Sequence, residues 1–208
     1  MLIETIHART NVSLETLENV ALSASKRYKV CTIPKRTGGV REISHPSRML
    51  KALQRWLARN ILSIAPVHKA ATAYRKGSNI RQNALHHAGT AFTLRMDFSD
   101  FFPSFDQQSV VRFLETMSNE HKLALTKADI HFAARIFCKD GRLTIGAPSS
   151  PALTNAMMYD LDAQIQACAE AHNLVYTRYA DDLFLSSFEP SVLGLVETEI
   201  RSIVAQSP

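Results

Sequence analysis

The stretch at residues 174–187, LVYTRYADDLFLSS, constrains this chain more than any other. Two runs of aliphatic, aromatic and β-branched residues meet at Ala180-Asp181, the spacing of a tight antiparallel hairpin. Adjacent Asp181 and Asp182 therefore fall at a hairpin tip between apolar strands. Asp is favoured in turns for its own local hydrogen bonding, so the pair also has a purely structural reading. A second carboxylate weighs against that reading. Residues 91–98, AFTLRMDF, alternate like a half-buried strand and end near Asp97, ahead of FSDFFPSF. A core strand avoids an Asp at its end unless a cation or hydrogen-bond donors compensate it. Two-metal phosphoryl transfer requires hard oxygen ligands from separate strands around ions about 3.5–4 Å apart. An Asp on one strand and an Asp pair on a neighbouring hairpin supply such ligands. One ion would activate an attacking 3′-hydroxyl and the other would steady a pyrophosphate leaving group.

The rest of the chain alternates helical and extended signals. Residues 13–26 form an amphipathic pattern with Ser13 as N-cap and Leu14, Leu17, Val20 and Leu22 on one side. In YKVCTIPKRTGGVREISHP, Val30 and Thr32 on one side and Val40 and Glu42 on the other flank Thr37-Gly38-Gly39, a hairpin with a basic tip. Over residues 47–64, Leu50, Leu53, Leu57, Ile61 and Ile64 recur at helical spacing. Arg48, Lys51, Arg55 and Arg59 occupy the other face. Helices are expected near 106–117, 124–138 and 191–205. Another starts at Ser149 or Ser150 with Pro151 in its first turn, and carries Leu153, Met157, Leu161 and Ile165 every four residues. The fold class is α+β, an antiparallel sheet backed by helices.

Charge is distributed unevenly. The net charge of +5 on 208 residues combines +11 over residues 1–90 with −6 over residues 91–208. A basic front half suits a polyanion, and an acidic back half concentrates cations. No run of about 18 apolar residues suggests a membrane span. Cys31, Cys138 and Cys168 lack CxxC spacing, so a reducing, cytoplasmic setting is expected and the thiols read as small core residues.

Taken in order, the motifs resemble those of reverse transcriptases, in particular the bacterial retron type. IPKRTGGVREI with PSRMLKALQRWL is similar to the fingers. YRKGSNIRQNALHH, with Asn83, Ala84 and His87, is similar to the retron-type segment before the palm. RMDFSDFFPSF resembles the first catalytic motif, GAPSSPALTN the template-side motif, and YTRYADDLFLS the second catalytic motif. The resemblance implies a right-hand polymerase fold, with basic fingers over residues 1–90 and a catalytic palm over residues 91–208. A thumb has no counterpart before Pro208.

The resemblance also implies roles. Asp97, Asp181 and Asp182 would bind two Mg²⁺ ions, joined by the Phe98 carbonyl. Lys35 and Arg41 would clasp the triphosphate. Asp100 and Phe101 would offer it backbone N–H groups. Phe102 would pack beneath the sugar and exclude a 2′-hydroxyl, although it also reads as a core aromatic. Gly146 would permit close backbone approach to the base pair, and Tyr179 would touch the primer end. Asn83 and His87 would contact the structured RNA or support its priming. One departure is Thr144-Ile145-Gly146 where the family commonly has Pro-Gln-Gly, so Ile145 cannot make the glutamine's sugar contact.

The activity implied is RNA-directed DNA synthesis from dNTPs on a structured non-coding RNA, giving an RNA-linked DNA. An anti-phage role with an effector protein is implied as well. The alternatives are a group II intron-like or other phage-defence polymerase, or a non-catalytic RNA-binding module that kept the fold.

Overall fold

The computed structural model describes residues 1–34 and 38–207; Lys35, Arg36 and Thr37 of the expected hairpin tip lie outside the described residues. The chain divides into two compact units, each assembled from separate stretches. One takes residues 1–65 and 102–153, the other residues 66–101 and 154–208.

The first unit is mainly helical. It contains α1 (Leu2–Thr10), α2 (Leu14–Leu22), α3 (Arg48–Asn60), α6 (Gln107–Glu120) and α7 (Lys127–Phe137), with short α5 (Phe101–Ser104) at its edge. Ser13 caps α2 by accepting from the Thr16 N–H, as its sequence position requires. Asp129 completes a capping box with Thr126 at α7 and also accepts the Leu2 N–H at 2.6 Å, tying two helix starts together. Leu17, Leu50, Leu57, Leu114, Ile136 and Phe137 fill the core between these helices. The hairpin of β1 (Tyr28–Pro34) and β2 (Val40–Pro46) pairs Thr32 with Glu42 and Ile33 with Arg41.

The second unit is built on a three-stranded antiparallel sheet in the order β3 (Phe92–Asp97), β5 (Asp182–Ser187), β4 (Val175–Tyr179). Its pleat separates two chemistries. Leu94, Met96, Tyr176, Leu183 and Leu185 point to one side, where Ile165 and Ala169 of α9 (Tyr159–Ala171) and Val196 and Ile200 of α10 (Pro190–Gln206) complete the core. Asp97, Arg95, Asp182, Phe184, Thr177 and Tyr179 share the other side by register. There His87, at the end of α4 (Ile80–His87), hydrogen-bonds Ser186 Oγ and Thr177 Oγ1, both at 2.7 Å.

One expectation needed revision, and two helices had no counterpart among the expected ones. The helical pattern from Ser150 onward is broken at Met158 into α8 (Ser150–Met157) and α9, because a four-residue repeat cannot register a one-residue interruption. Helices α1 and α4 were not anticipated. Their polar composition hides a short apolar face, Leu2 and Ile6 in α1, and a buried polar face, Asn83 and His87, in α4. Among the described residues no helix is long and apolar enough to cross a membrane.

Candidate active site

The hairpin of β4 and β5 turns over two residues, with Tyr179 paired to Asp182 across the turn. Ala180 takes a positive φ of 60°, the strained position of that turn. Asp182 is paired in register with Asp97 of β3 on the same face of the sheet. Asp181, on the turn, accepts the Phe98 N–H through its carbonyl at 3.1 Å, which fixes the backbone just beyond Asp97 against the hairpin. Register and turn thus bring Asp97, Asp181, Asp182 and the Phe98 backbone to one corner of the sheet.

The electrostatics of that corner are visible in Arg95. Two residues before Asp97 and diagonal to Asp182, it donates a fork to both Asp182 oxygens, Nε at 2.9 Å and a terminal nitrogen at 3.1 Å. Planar two-point pairing of this kind is the strong form of the carboxylate–guanidinium contact. Asp97, Asp181 and Asp182 offer carboxylate oxygens, the hard donor type that divalent cations such as Mg²⁺ take. Asp97 is exposed, whereas Asp181 and Asp182 are half-buried.

Beneath the hairpin lies a buried ionic network. Arg178 and Asp162, both fully enclosed, form a two-point pair at 2.8 and 2.7 Å. Tyr176 donates its hydroxyl to Asp162 at 2.8 Å. Burial first, then the Asp162 charge, pushes the Tyr176 phenol well above its ordinary value, so it remains a donor. A remaining Arg178 nitrogen reaches Asn155 Oδ1 at 3.2 Å and the Ala180 carbonyl at 3.0 Å. The guanidinium therefore holds the turn that carries Asp181.

The other expected residues are placed as follows. Phe101 is buried and stacks on Phe98 with ring centres 5.7 Å apart. Asp100 is exposed at a positive φ of 49°, and Phe102 is half-buried in the first unit. Arg41 is exposed on β2, and Lys35 lies outside the described residues. Tyr179 is half-buried beside Asp182. Gly146 has a φ of 104°, and a Cβ there would sit 2.6 Å from the Ser44 carbonyl oxygen. The close approach this glycine permits is thus to the backbone of β2. Asn83 and His87 are 2% and 9% exposed, and Asn83 accepts the Thr72 hydroxyl at 2.6 Å. His87 packs α4 against the sheet, and Asn83 ties α4 to Thr72.

The family model described as reverse transcriptase (RNA-dependent DNA polymerase) matches residues 33–207. The chain belongs to the reverse transcriptase family. It is 38% identical to the retron Ec86 reverse transcriptase of Escherichia coli over 86% of this chain and 54% of that protein. It is 36% identical to the retron Ec83 reverse transcriptase of the same organism, over 84% of this chain and 57% of that protein. The chain thus spans about half the length of these curated relatives. Among solved structures, a telomerase from Candida albicans in complex with a fragment of telomeric RNA aligns over 88% of this chain and 43% of its own, with a TM-score of 0.47 and 14% identity.

Arg178, Asp162 and Arg95 escaped the reading of the family motifs. A signal for Arg178 existed. In β4 it alternates with Tyr176 on the core-facing side, and a cation at such a position demands a buried anion. Asp162, between Leu161 and Ile165 on α9, is that anion.

Proposed function

We propose that this chain carries the nucleotidyl-transfer centre of a retron-type RNA-directed DNA polymerase, which makes DNA from dNTPs on a structured non-coding RNA. The observation that carries the proposal is the in-register pairing of Asp97 with Asp182, with Asp181 on the adjoining turn. Two bound Mg²⁺ ions would supply Lewis-acid activation of the attacking hydroxyl and neutralise charge on the leaving pyrophosphate. Asp97, Asp181, Asp182 and the Phe98 carbonyl would hold them. Arg95 holds Asp182 oriented by its two-point pair, and a divalent cation would compete for those oxygens. Lys35 and Arg41 would bind the triphosphate, with the Asp100 and Phe101 backbone assisting, and Phe102 would reject a 2′-hydroxyl. Tyr179 would meet the primer end. Asn83 and His87 would contact the structured RNA or support its priming; His87 fixes α4 on the face that bears the carboxylates. The fingers reading of residues 1–90, the palm reading of residues 91–208, an RNA-linked DNA product and an anti-phage role with an effector protein belong to the same proposal.

The test is Asp182→Asn, which keeps the shape of the side chain and removes its charge. DNA synthesis by the whole polymerase should fall by several orders of magnitude while RNA binding is retained. Near-normal synthesis by the variant would overturn the metal assignment. Nucleic acid recovered with the purified protein distinguishes the remaining rival: an RNA–DNA species supports a polymerase, and RNA alone a binding module.

A further inference from the structure

On the opposite side of the second unit from its carboxylate face, α9 and α10 carry a second cluster of metal-ligating groups. Cys168, in the last turn of α9, and His172, the residue that caps its C-terminus, stand four residues apart and come to the same side of the helix end. Glu199 comes from α10. Its Oε2 lies 3.2 Å from Cys168 Sγ and 3.0 Å from His172 Nε2, and one ligand atom from each of the three lies within 4.8 Å of the others. Among the described residues, no other trio of His, Cys, Asp or Glu side chains gathers this closely. The packing of Ile165 and Ala169 against Val196 and Ile200 holds the two helices in place beneath it.

We propose that Cys168, His172 and Glu199 form a zinc site that staples α9 to α10. A thiolate, an imidazole nitrogen and a carboxylate oxygen are the donor types Zn²⁺ takes, and the mixed set is too soft for Mg²⁺ or Ca²⁺. Partial exposure, 24% for the His172 side chain and 42% for Glu199, leaves a water free to complete a tetrahedron. On binding, the zinc–sulfur bond forms as the thiol proton leaves to solvent. Burial, then the bond to Glu199 and its charge, pushes the free thiol up to about 11, while the Cys168 and His172 contacts hold Glu199 below its usual range. The metal-free cluster is thus a hydrogen-bonded one whose proton a cation displaces. Because α9 also carries Asp162, the staple would stiffen the support of Arg178 and the catalytic turn.

Cobalt(II) titration of the 208-residue chain, in excess Mg²⁺ to fill hard-oxygen sites, tests this directly. One equivalent should give a thiolate-to-cobalt charge-transfer band that Zn²⁺ abolishes. Zinc at about a hundredfold over its Kd should raise the Tm by roughly 5–10 °C. Cys168→Ser should eliminate the band, and Glu199→Gln, at a half-exposed position, should weaken zinc binding at least tenfold without unfolding the chain. A wild-type protein with no such band, or a band that survives Cys168→Ser and so arises from Cys31 or Cys138, would overturn the proposal.

Discussion

Gly146 shows how a single atom is excluded by backbone geometry. Its φ of 104° strains any L side chain, and a Cβ would meet the Ser44 carbonyl at 2.6 Å, a neighbour that is main chain and cannot swing aside. Gly146→Ala should therefore destabilise the protein by roughly 2–4 kcal/mol, seen as a lower denaturant midpoint. A midpoint within error of wild type would mean that the Ile145–Ser44 hydrogen bond yields easily. Arg178 poses the opposite problem, a charge that must be enclosed. Arg178→Met leaves Asp162 buried and unpaired, at a cost of about 3–5 kcal/mol. Adding Asp162→Leu removes that orphan charge and should recover much of the stability. Synthesis should stay impaired, because the bond to the Ala180 carbonyl is still lost. Full recovery of synthesis in the stable double variant would reduce Arg178 to a packing residue.

At the scale of elements, the contact of α4 with the sheet depends on a neutral imidazole. Both His87 nitrogens engage hydroxyls, and burial first, with His86 adding to it, lowers its pKa below 6.5. The sign follows from which state binds the proton. The unfolded chain takes it up as pH falls below about 6.5, while the folded chain resists until its own lower pKa. Stability from this group is thus complete above the unfolded value and declines on acidification from there to the depressed folded value. His87→Gln keeps polar atoms for Ser186 and Thr177 but does not titrate. Its Tm should fall less than that of wild type between pH 7.5 and 5.5, even if it starts lower. Parallel Tm–pH curves would show that the acid response comes from elsewhere.

For the whole molecule, the interleaving of the two compact units decides what can fold alone. Residues 1–90 include α2 and α3 but lack α7, against which both pack, and Gln54 would lose its bond to the Ile136 carbonyl. Residues 91–208 lack α4 and the segment whose Ala70 carbonyl and Thr72 N–H clasp Arg178. Expressed separately, neither stretch should show a cooperative thermal transition or dispersed amide resonances, while the intact chain shows both. A cooperative transition in either piece would mean that the shared contacts are dispensable.

The sequence by itself determined the hairpin at Ala180-Asp181, the strand ending at Asp97, the basic front half and the family, which the match over residues 33–207 bears out. These are local patterns of period, turn residue and charge, and each is read within a few residues. Only the tertiary structure decided what lay across long separations. It set Arg95 on Asp182, Arg178 beneath the turn with Asp162, and Asn83 and His87 in the interior. It also assigned Gly146 to the backbone of β2 and placed Glu199 beside Cys168 and His172. A polar side chain carries no local mark of the partner that will satisfy it. Burial makes that partner obligatory, and only the packed fold says which residue it is.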